Sequence, residues 1–342
     1  MMRPSAIIVC PATAQSNNGN WRTAQRWRRM LAPVARSTIT TQWAGEPYSL
    51  MLALHARRSA ASIQAWDKAR AAAGDTRRPP LVVVLTGTDL YRDIRADADA
   101  QRSLQVADAL VVLQEQAIES LPAGVRDKAI VIYQSGARRK ALSKTRHHLR
   151  AVMVGHLRDE KCPQTLFEAA RILHGRADIR IDHIGGALDP GLARQASLTA
   201  QSCPRYRWLG ALPHASTLHR IQRAHVVINS SSMEGGAHTV LEAVRSGTPV
   251  LASHIPGNVG MLGADYAGYF PLQDAVALAR LLQRCRAEPA LLATLRRQCR
   301  ARAFLFEPHR EQRALRHLVT RLLRNHRPQS SPSERRTDDV RT

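Results

Sequence analysis

Short apolar runs alternate with longer segments that carry one apolar face, and this alternation continues along almost the whole chain. In the first half the runs predict strands near 6–10, 38–42, 49–54, 81–86, 109–113 and 130–133. Helical periodicity lies between them near 20–32, 58–73, 98–107 and 115–121. From Gly136 to Arg150 the chain is basic and has no apolar pattern, so it reads as a linker. A second series then opens at 151–154 and continues with strands near 179–184, 206–209, 225–229, 249–252 and 268–270. Helices near 163–174, 190–201, 215–223, 238–246, 274–286 and 289–303 alternate with those strands, and an amphipathic helix runs from Glu307 to Leu323. Strands that alternate with helices predict parallel sheets of the α/β class. Two doubly wound halves joined by a linker place a ligand crevice between them, at the carboxyl ends of both sheets. The predicted boundaries are 1–146 for one Rossmann-like domain and 147–305 for a second. Residues 306–325 are predicted as a helix returning to the first domain, and the polar, proline-bearing 326–342 as a disordered tail.

Length agrees with this division, since 342 residues exceed one typical domain and suit two of about 150. Hydrophobic residues make up 44% of the chain and aromatics only 4%, so both cores must be aliphatic. The formal charge of +23 invites a nucleic-acid reading. The arginines, however, are scattered through helices (Arg22, Arg26, Arg28, Arg29; Arg296, Arg297, Arg300, Arg302) and are not interleaved with aromatics. Most read as solvated faces with a general attraction for anionic substrates, and an anion- or nucleic-acid-binding protein without catalysis stays as the alternative of a different class. Cys10, Cys162, Cys203, Cys285 and Cys299 show neither zinc spacing nor a disulfide framework, which fits a reduced, cytoplasmic setting. The start, Met1 to Ala14, has too short an apolar core for a signal peptide and reads as a first strand. No run of 18 apolar residues predicts a membrane span.

The densest chemistry lies between Asn229 and Asn258. Glu234 and Glu242 stand eight positions apart around the Gly235-Gly236 step, between an apolar strand and a helix-patterned segment. A strand, a loop and a glycine-started helix present backbone N–H groups to a phosphate, and flanking carboxylates then accept hydrogen bonds from sugar hydroxyls. Glu242 sits in an otherwise apolar helix, where an unpartnered carboxylate is costly. The pattern predicts a site for a sugar joined to a diphosphate. Ser16-Asn17-Asn18-Gly19-Asn20 follows the first strand and opens the first helix; it suits a phosphate, or is a plain N-cap turn. His238 either touches the diphosphate or only begins its helix. His55 is a candidate for bonding the donor sugar or acting as a base, and a structural histidine is the plain reading. Asp89 either pairs with Arg92 or His55, or caps the following turn.

With these residues in view, the chain resembles the GT-B glycosyltransferases that use nucleotide-activated sugars and carry a Glu-x7-Glu element. The loop Val154-Gly155-His156-Leu157-Arg158-Asp159-Glu160-Lys161 is similar to that family's donor-diphosphate loop. Lys161 matches its lysine, whereas His156 stands where an arginine is usual and Arg158 offers a substitute. The resemblance implies that Glu234 contacts donor sugar hydroxyls, that the Gly235 and Gly236 amides face the sugar or β-phosphate, and that Glu242 holds the ribose. Gly185, with Gly186, resembles the family's second donor-side turn, or is a plain strand-end turn. The first domain then serves the acceptor and the second binds the nucleotide-sugar.

The segments Ser16–Trp21, Leu54–Ser59, Leu85–Asp93, Ile184–Pro190 and Ile255–Gly260 narrow the resemblance to the selenosugar-forming branch of bacterial selenoneine biosynthesis. That branch implies transfer of N-acetylglucosamine or glucose from a UDP-sugar to the selenium of selenophosphate. A family member acting on a hydroxyl of a sugar, lipid or metabolite is the enzymatic alternative. Selenophosphate is an anion whose selenium is already nucleophilic, so positioning cations matter more than a base. Arg57, Arg58 and Arg92, beside strand-end loops, are the acceptor candidates. The leaving diphosphate is expected to be neutralised by Lys161, Arg158 and the helix start at 235–238, with no metal held by the protein, since the chain lacks an Asp-x-Asp pair.

Overall fold

The computed structural model describes residues 3–12, 19–72 and 78–325. Asn18 and the tail 326–342 lie outside the described residues, so the expectations placed on them are not taken further.

In the first half, β1 (Ser5–Val9), β2 (Arg36–Thr40), β3 (Leu50–Leu54), β4 (Leu81–Val84), β5 (Ala109–Val112) and β6 (Ala129–Val131) form one parallel sheet in the order β2-β1-β3-β4-β5-β6. Every residue of β3, β4 and β5 is buried, because helices cover both faces. Alternate residues therefore divide between two cores. Ala6, Ile8, Leu50 and Leu52 join α1 (Gly19–Leu31) on one face. Ile7, Val9, Met51 and Ala53 join α2 (Ala60–Ala72) and residues that follow on the other. A π-helical turn, Asp89–Asp93, runs into α3 (Ile94–Ala96) and α4 (Ala98–Val106), which Asp97 caps by accepting from the Ala100 N–H.

The second half repeats the plan. Strands β7 (Leu149–Val154), β8 (Ile179–Ile184), β9 (Tyr206–Trp208), β10 (Val226–Asn229), β11 (Val250–Ser253) and β12 (Tyr269–Phe270) pair in parallel in the order β12-β11-β10-β7-β8-β9. Around them pack α5 (Pro163–Ile172), α6 (Pro190–Ser202), α7 (His214–Arg223), α8 (His238–Arg245), α9 (Pro256–Leu262), α10 (Ala275–Ala287) and α11 (Pro289–Arg302). The predicted pair of doubly wound parallel sheets is what forms.

The last helix, α12 (Pro308–Asn325), crosses back. Its Leu315, Leu318, Val319 and Leu322 share a core with Ala24, Trp27 and Leu31 of α1, each leucine contributing about 1.5–3 kcal/mol by burial. Its Glu311 is buried and accepts from Arg26 Nε (2.8 Å), Arg26 Nη2 (3.0 Å), Trp27 Nε1 (2.7 Å) and the Ser135 N–H (2.8 Å).

Three stretches differ from the periodicity. The helix predicted at 115–121 is only a short 3-10 turn, Glu115–Ala117, because Pro122 disfavours helical geometry just before it. Two helices carry no sequence prediction: the Asp89–Ala96 turn and α9, seven residues long with two internal glycines. The basic linker forms no regular element before β7, yet it is pinned to the second domain. The Arg139 N–H donates to the Arg245 carbonyl (3.0 Å), Arg139 Nε to Gln222 (3.2 Å) and Lys144 Nζ to Thr248 (3.3 Å). Burial lowers Lys144 to about 8.

Candidate active site

The loop after β10 and the turn after β7 meet at one ion pair. Glu234 Oε1 accepts from Lys161 Nζ at 2.6 Å, from Ser231 Oγ at 2.6 Å and from Asn229 Nδ2 at 3.2 Å. Burial alone would raise this carboxyl, but the ammonium and the two neutral donors outweigh it and hold the group below its usual range. Glu234 is therefore an anion with three donors on one oxygen. Gly257, in the first turn of α9, makes room for it: a Cβ there would sit 2.0 Å from the Glu234 carbonyl oxygen.

The Gly235-Gly236 step lies where the domains touch. A Cβ on Gly235 would fall 2.5 Å from the Thr86 carbonyl group of the first domain, and one on Gly236 would fall 2.8 Å from Leu113 Cβ. Close approach of two backbones thus accounts for both glycines, whatever else their amides do. Beyond them, α8 carries His238 and Glu242 toward the same boundary. Glu242 Oε1 stands 2.7 Å from His214 Nε2 on α7 and 3.7 Å from Arg22 Nη1 on α1. His238 faces Gly19 at the start of α1, whose Cβ would lie 3.3 Å from the imidazole. Its Nε2 is buried without a hydrogen-bond partner. Burial, aided by Arg26, Arg22, His214 and Lys161, holds His238 well below its ordinary value, so the ring is neutral.

His156, in the arginine's place, is neutral too. Its Nδ1 accepts from the Gly186 N–H at 2.9 Å, which leaves the ring proton on Nε2. Burial, then Arg158, Lys161 and Arg22, lowers it further. Arg158 is exposed and 3.9 Å from Glu160. The Gly185 N–H donates to the Gly210 carbonyl at 2.8 Å. That amide is already satisfied, in a strand-end turn packed against Gly155.

In the first domain His55 is almost fully buried with φ of 75°, a left-handed conformation that costs a residue with a Cβ on the order of 1 kcal/mol. Its Nδ1 accepts from the Arg58 N–H (3.2 Å), so Nε2 carries the proton and donates to Thr88 Oγ1 (3.0 Å). Burial outweighs the nearby Asp89 and Asp93 and keeps it neutral. Asp89, named as a catalytic candidate beside His55, has its Oδ2 3.9 Å from His55 Nδ1. It is fully buried and accepts from the backbone N–H groups of Ala56, Thr86 and Gly87, each at 2.9 Å, without a hydrogen bond to Arg92 or His55. It stitches two strand-end loops together and so maintains the strained turn at His55.

The three acceptor arginines separate. Arg57 is exposed and paired with Asp97 at 2.7 Å, and Arg58 is exposed. Arg92 alone crosses the boundary, from Asp93 (3.0 Å) to Glu160 of the second domain (3.1 Å). Sequence reasoning missed the residues that line an interdomain cavity of about 620 Å³: Arg22, Arg26 and Arg29 of α1, Arg139 of the linker, and His214, beside His238 and Glu242. The spacing of 22, 26 and 29 on one helical face was the available signal, on the helix that opens the crevice. Asn20 lies in the first turn of α1. Among the described residues no group of three or more His, Cys, Asp or Glu could hold a metal ion, and no helix is long and apolar enough to cross a membrane.

The family model described as "Glycosyl transferases group 1" matches residues 136–306. Glycosyltransferase 1 domain-containing protein 1 of Xenopus tropicalis is 26% identical over 180 residues, which is 52% of this chain and 51% of that protein. The chain thus spans about half the length of the curated relative it matches. Among solved structures, sucrose-phosphate synthase from Thermosynechococcus elongatus superposes with a TM-score of 0.76 at 18% identity, covering 95% of this chain and all of that one. Anabaena HepE in complex with UDP-glucose gives 0.73 at 14% identity, covering 93% and 100%. These likenesses show the shared GT-B fold.

Proposed function

Because the chain belongs to the group 1 glycosyl transferases, we propose that it transfers a hexosyl group, N-acetylglucosamine or glucose, from a UDP-sugar to the selenium of selenophosphate. The observation that carries the donor half is the Lys161–Glu234 pair at 2.6 Å; Glu242 faces α1 in the interdomain cavity, whose lining includes neither member of that pair. A donor pyrophosphate competes for Lys161 Nζ. As the ammonium turns to it, Glu234 loses one donor and gains an acceptor position for a sugar hydroxyl, while Glu242 takes the ribose hydroxyls. The solved complex of HepE with UDP-glucose supports UDP-sugar as the donor class.

In the reaction, selenium attacks the anomeric carbon, the carbon–oxygen bond to the diphosphate breaks, and UDP leaves with the electron pair. Water then cleaves the selenium–phosphorus bond, which releases inorganic phosphate and leaves the 1-selenosugar. Charge on the departing diphosphate falls on Lys161, Arg158 and the amides that open α8. His156 and His238, both neutral, contribute hydrogen bonds and no charge. The selenium acceptor is supported by the sequence segments at 16–21, 54–59, 85–93, 184–190 and 255–260, and by the cationic wall that α1 contributes to the cavity.

The test is incubation of the protein with UDP-N-acetylglucosamine or UDP-glucose, with and without selenophosphate, followed by mass spectrometry. A selenosugar product and selenophosphate-dependent release of UDP are expected. UDP release that selenophosphate leaves unchanged would move the reading to a hydroxyl acceptor. In the same assay Lys161→Ala should lower kcat/KM by about a hundredfold or more, the scale of one lost charge-stabilising donor; near-native turnover would remove Lys161 from the site.

A further inference from the structure

A second cationic cavity adjoins the crevice at Ala215 of α7 and extends from there toward Arg223. Parallel pairing sets Arg150 of β7 opposite Arg180 of β8, and Asp182 of β8 opposite Arg207 of β9. These positions are two apart, so Arg150, Arg180, Asp182 and Arg207 share one face of the sheet. The last turns of α7 bring Arg220 and Arg223 to that face. Like charges on adjacent strands are unfavourable, and this row has a single carboxylate. Asp182 is buried and already spent: Oδ1 accepts from Arg207 Nε (2.9 Å) and Nη2 (2.6 Å), and Oδ2 from Arg220 Nη1 (3.1 Å). Among the described residues, Arg150 and Arg223 pair with no carboxylate. Arg150 feels the cost, since burial and the charges of Arg223, Arg207 and Arg180 lower it despite Asp182.

These side chains border a cavity of about 640 Å³, lined also by Ser216 and His219, within the size range of small-molecule sites. Although the two cavities share Ala215, nine positions of α7 lead from His214, which touches Glu242, to Arg223, roughly 13 Å along the helix axis. We propose that this groove is a second anion site, which takes a phosphate-bearing small molecule between Arg150, Arg220 and Arg223, separately from the interdomain crevice. Guanidinium groups suit such a ligand because each offers paired donors to phosphate oxygens.

Titration calorimetry of the full chain with pyrophosphate, in the presence of saturating UDP, tests this. One pyrophosphate is expected to bind with UDP in place. The Arg150→Gln/Arg223→Gln variant should weaken it by about tenfold or more, while UDP affinity and Tm stay near those of the native chain. Arg150→Lys/Arg223→Lys, which keeps the charge, should restore most of the binding. Should the glutamine variant not fold, Ser216→Glu, at an exposed helix position, places a carboxylate in the groove and should weaken binding likewise. Unchanged affinity in a folded glutamine or Ser216→Glu variant would overturn the proposal. So would complete loss of pyrophosphate binding once UDP is saturating, or its complete displacement by potassium chloride at matched ionic strength.

Discussion

At the scale of single residues, hydrogen-bond partners set which nitrogen of a buried histidine carries the proton, and burial keeps the ring neutral. His183 accepts from Tyr206 OH at Nδ1 (3.0 Å) and reaches the Gly155 carbonyl from Nε2 (3.2 Å). His225 accepts from the Arg150 N–H at Nδ1 (2.9 Å) and reaches the Thr145 carbonyl from Nε2 (2.9 Å). Burial lowers both from 6.5 to about 4. The folded value lies below the unfolded one, so the unfolded chain binds protons first as the solution is acidified. Stability should therefore fall between pH 6.5 and pH 4, before the paired carboxylates titrate. Thermal melts across that range check this; a Tm unchanged from pH 7 to pH 4.5 would contradict it. Glu234 acts at lower pH, since its depressed value loses its contribution only below the ordinary carboxylate range near 4.5.

At the scale of elements, α12 decides whether the first sheet has a covered face. Glu311 is the polar key of that packing, with Arg26, Trp27 and Ser135 as its donors. Glu311→Ala leaves a guanidinium and an indole N–H without their acceptor, a cost of about 2–4 kcal/mol. Urea denaturation should show a lowered midpoint of that size, and a shift under about 0.5 kcal/mol would mean that the apolar face of α12 alone holds it. The same helix bears on the crevice. Glu311 fixes Arg26 and the Ser135 backbone, both in the wall of the interdomain cavity, so loss of the anchor should also disorder that wall.

At the scale of the whole molecule, the two domains are joined by close backbone approach as well as by charge. Gly235 lies against the backbone of Thr86 and Gly87, and Arg92 to Glu160 spans the same boundary. Gly235→Ala puts a methyl group 2.5 Å from the Thr86 carbonyl, so the domains must part while each keeps its own core. Small-angle scattering should register a larger radius of gyration with near-native circular dichroism. An unchanged radius would mean that the loop yields instead of the domain contact.

Much of this was legible along the chain. Runs such as Leu81–Val84 and Val226–Ile228 are apolar on both faces, which forces covered, parallel strands, and the helices between them follow from their own periodicity. Glu234, Lys161 and Glu242 stood out because carboxylates and a cation occur beside glycines and apolar segments that do not tolerate idle charge. The short turn at Asp89, α9 and the true partners of Asp89, Gly185 and Arg57 were not legible. They depend on neighbours distant in sequence, such as Ala56 for Asp89, Gly210 for Gly185 and Glu234 for Gly257. Local pattern determines which segments must be buried, because burial of apolar surface follows periodicity. Which polar groups end up facing one another is set only when the two sheets and α12 pack, since hydrogen bonds and ion pairs are decided by distances that packing creates.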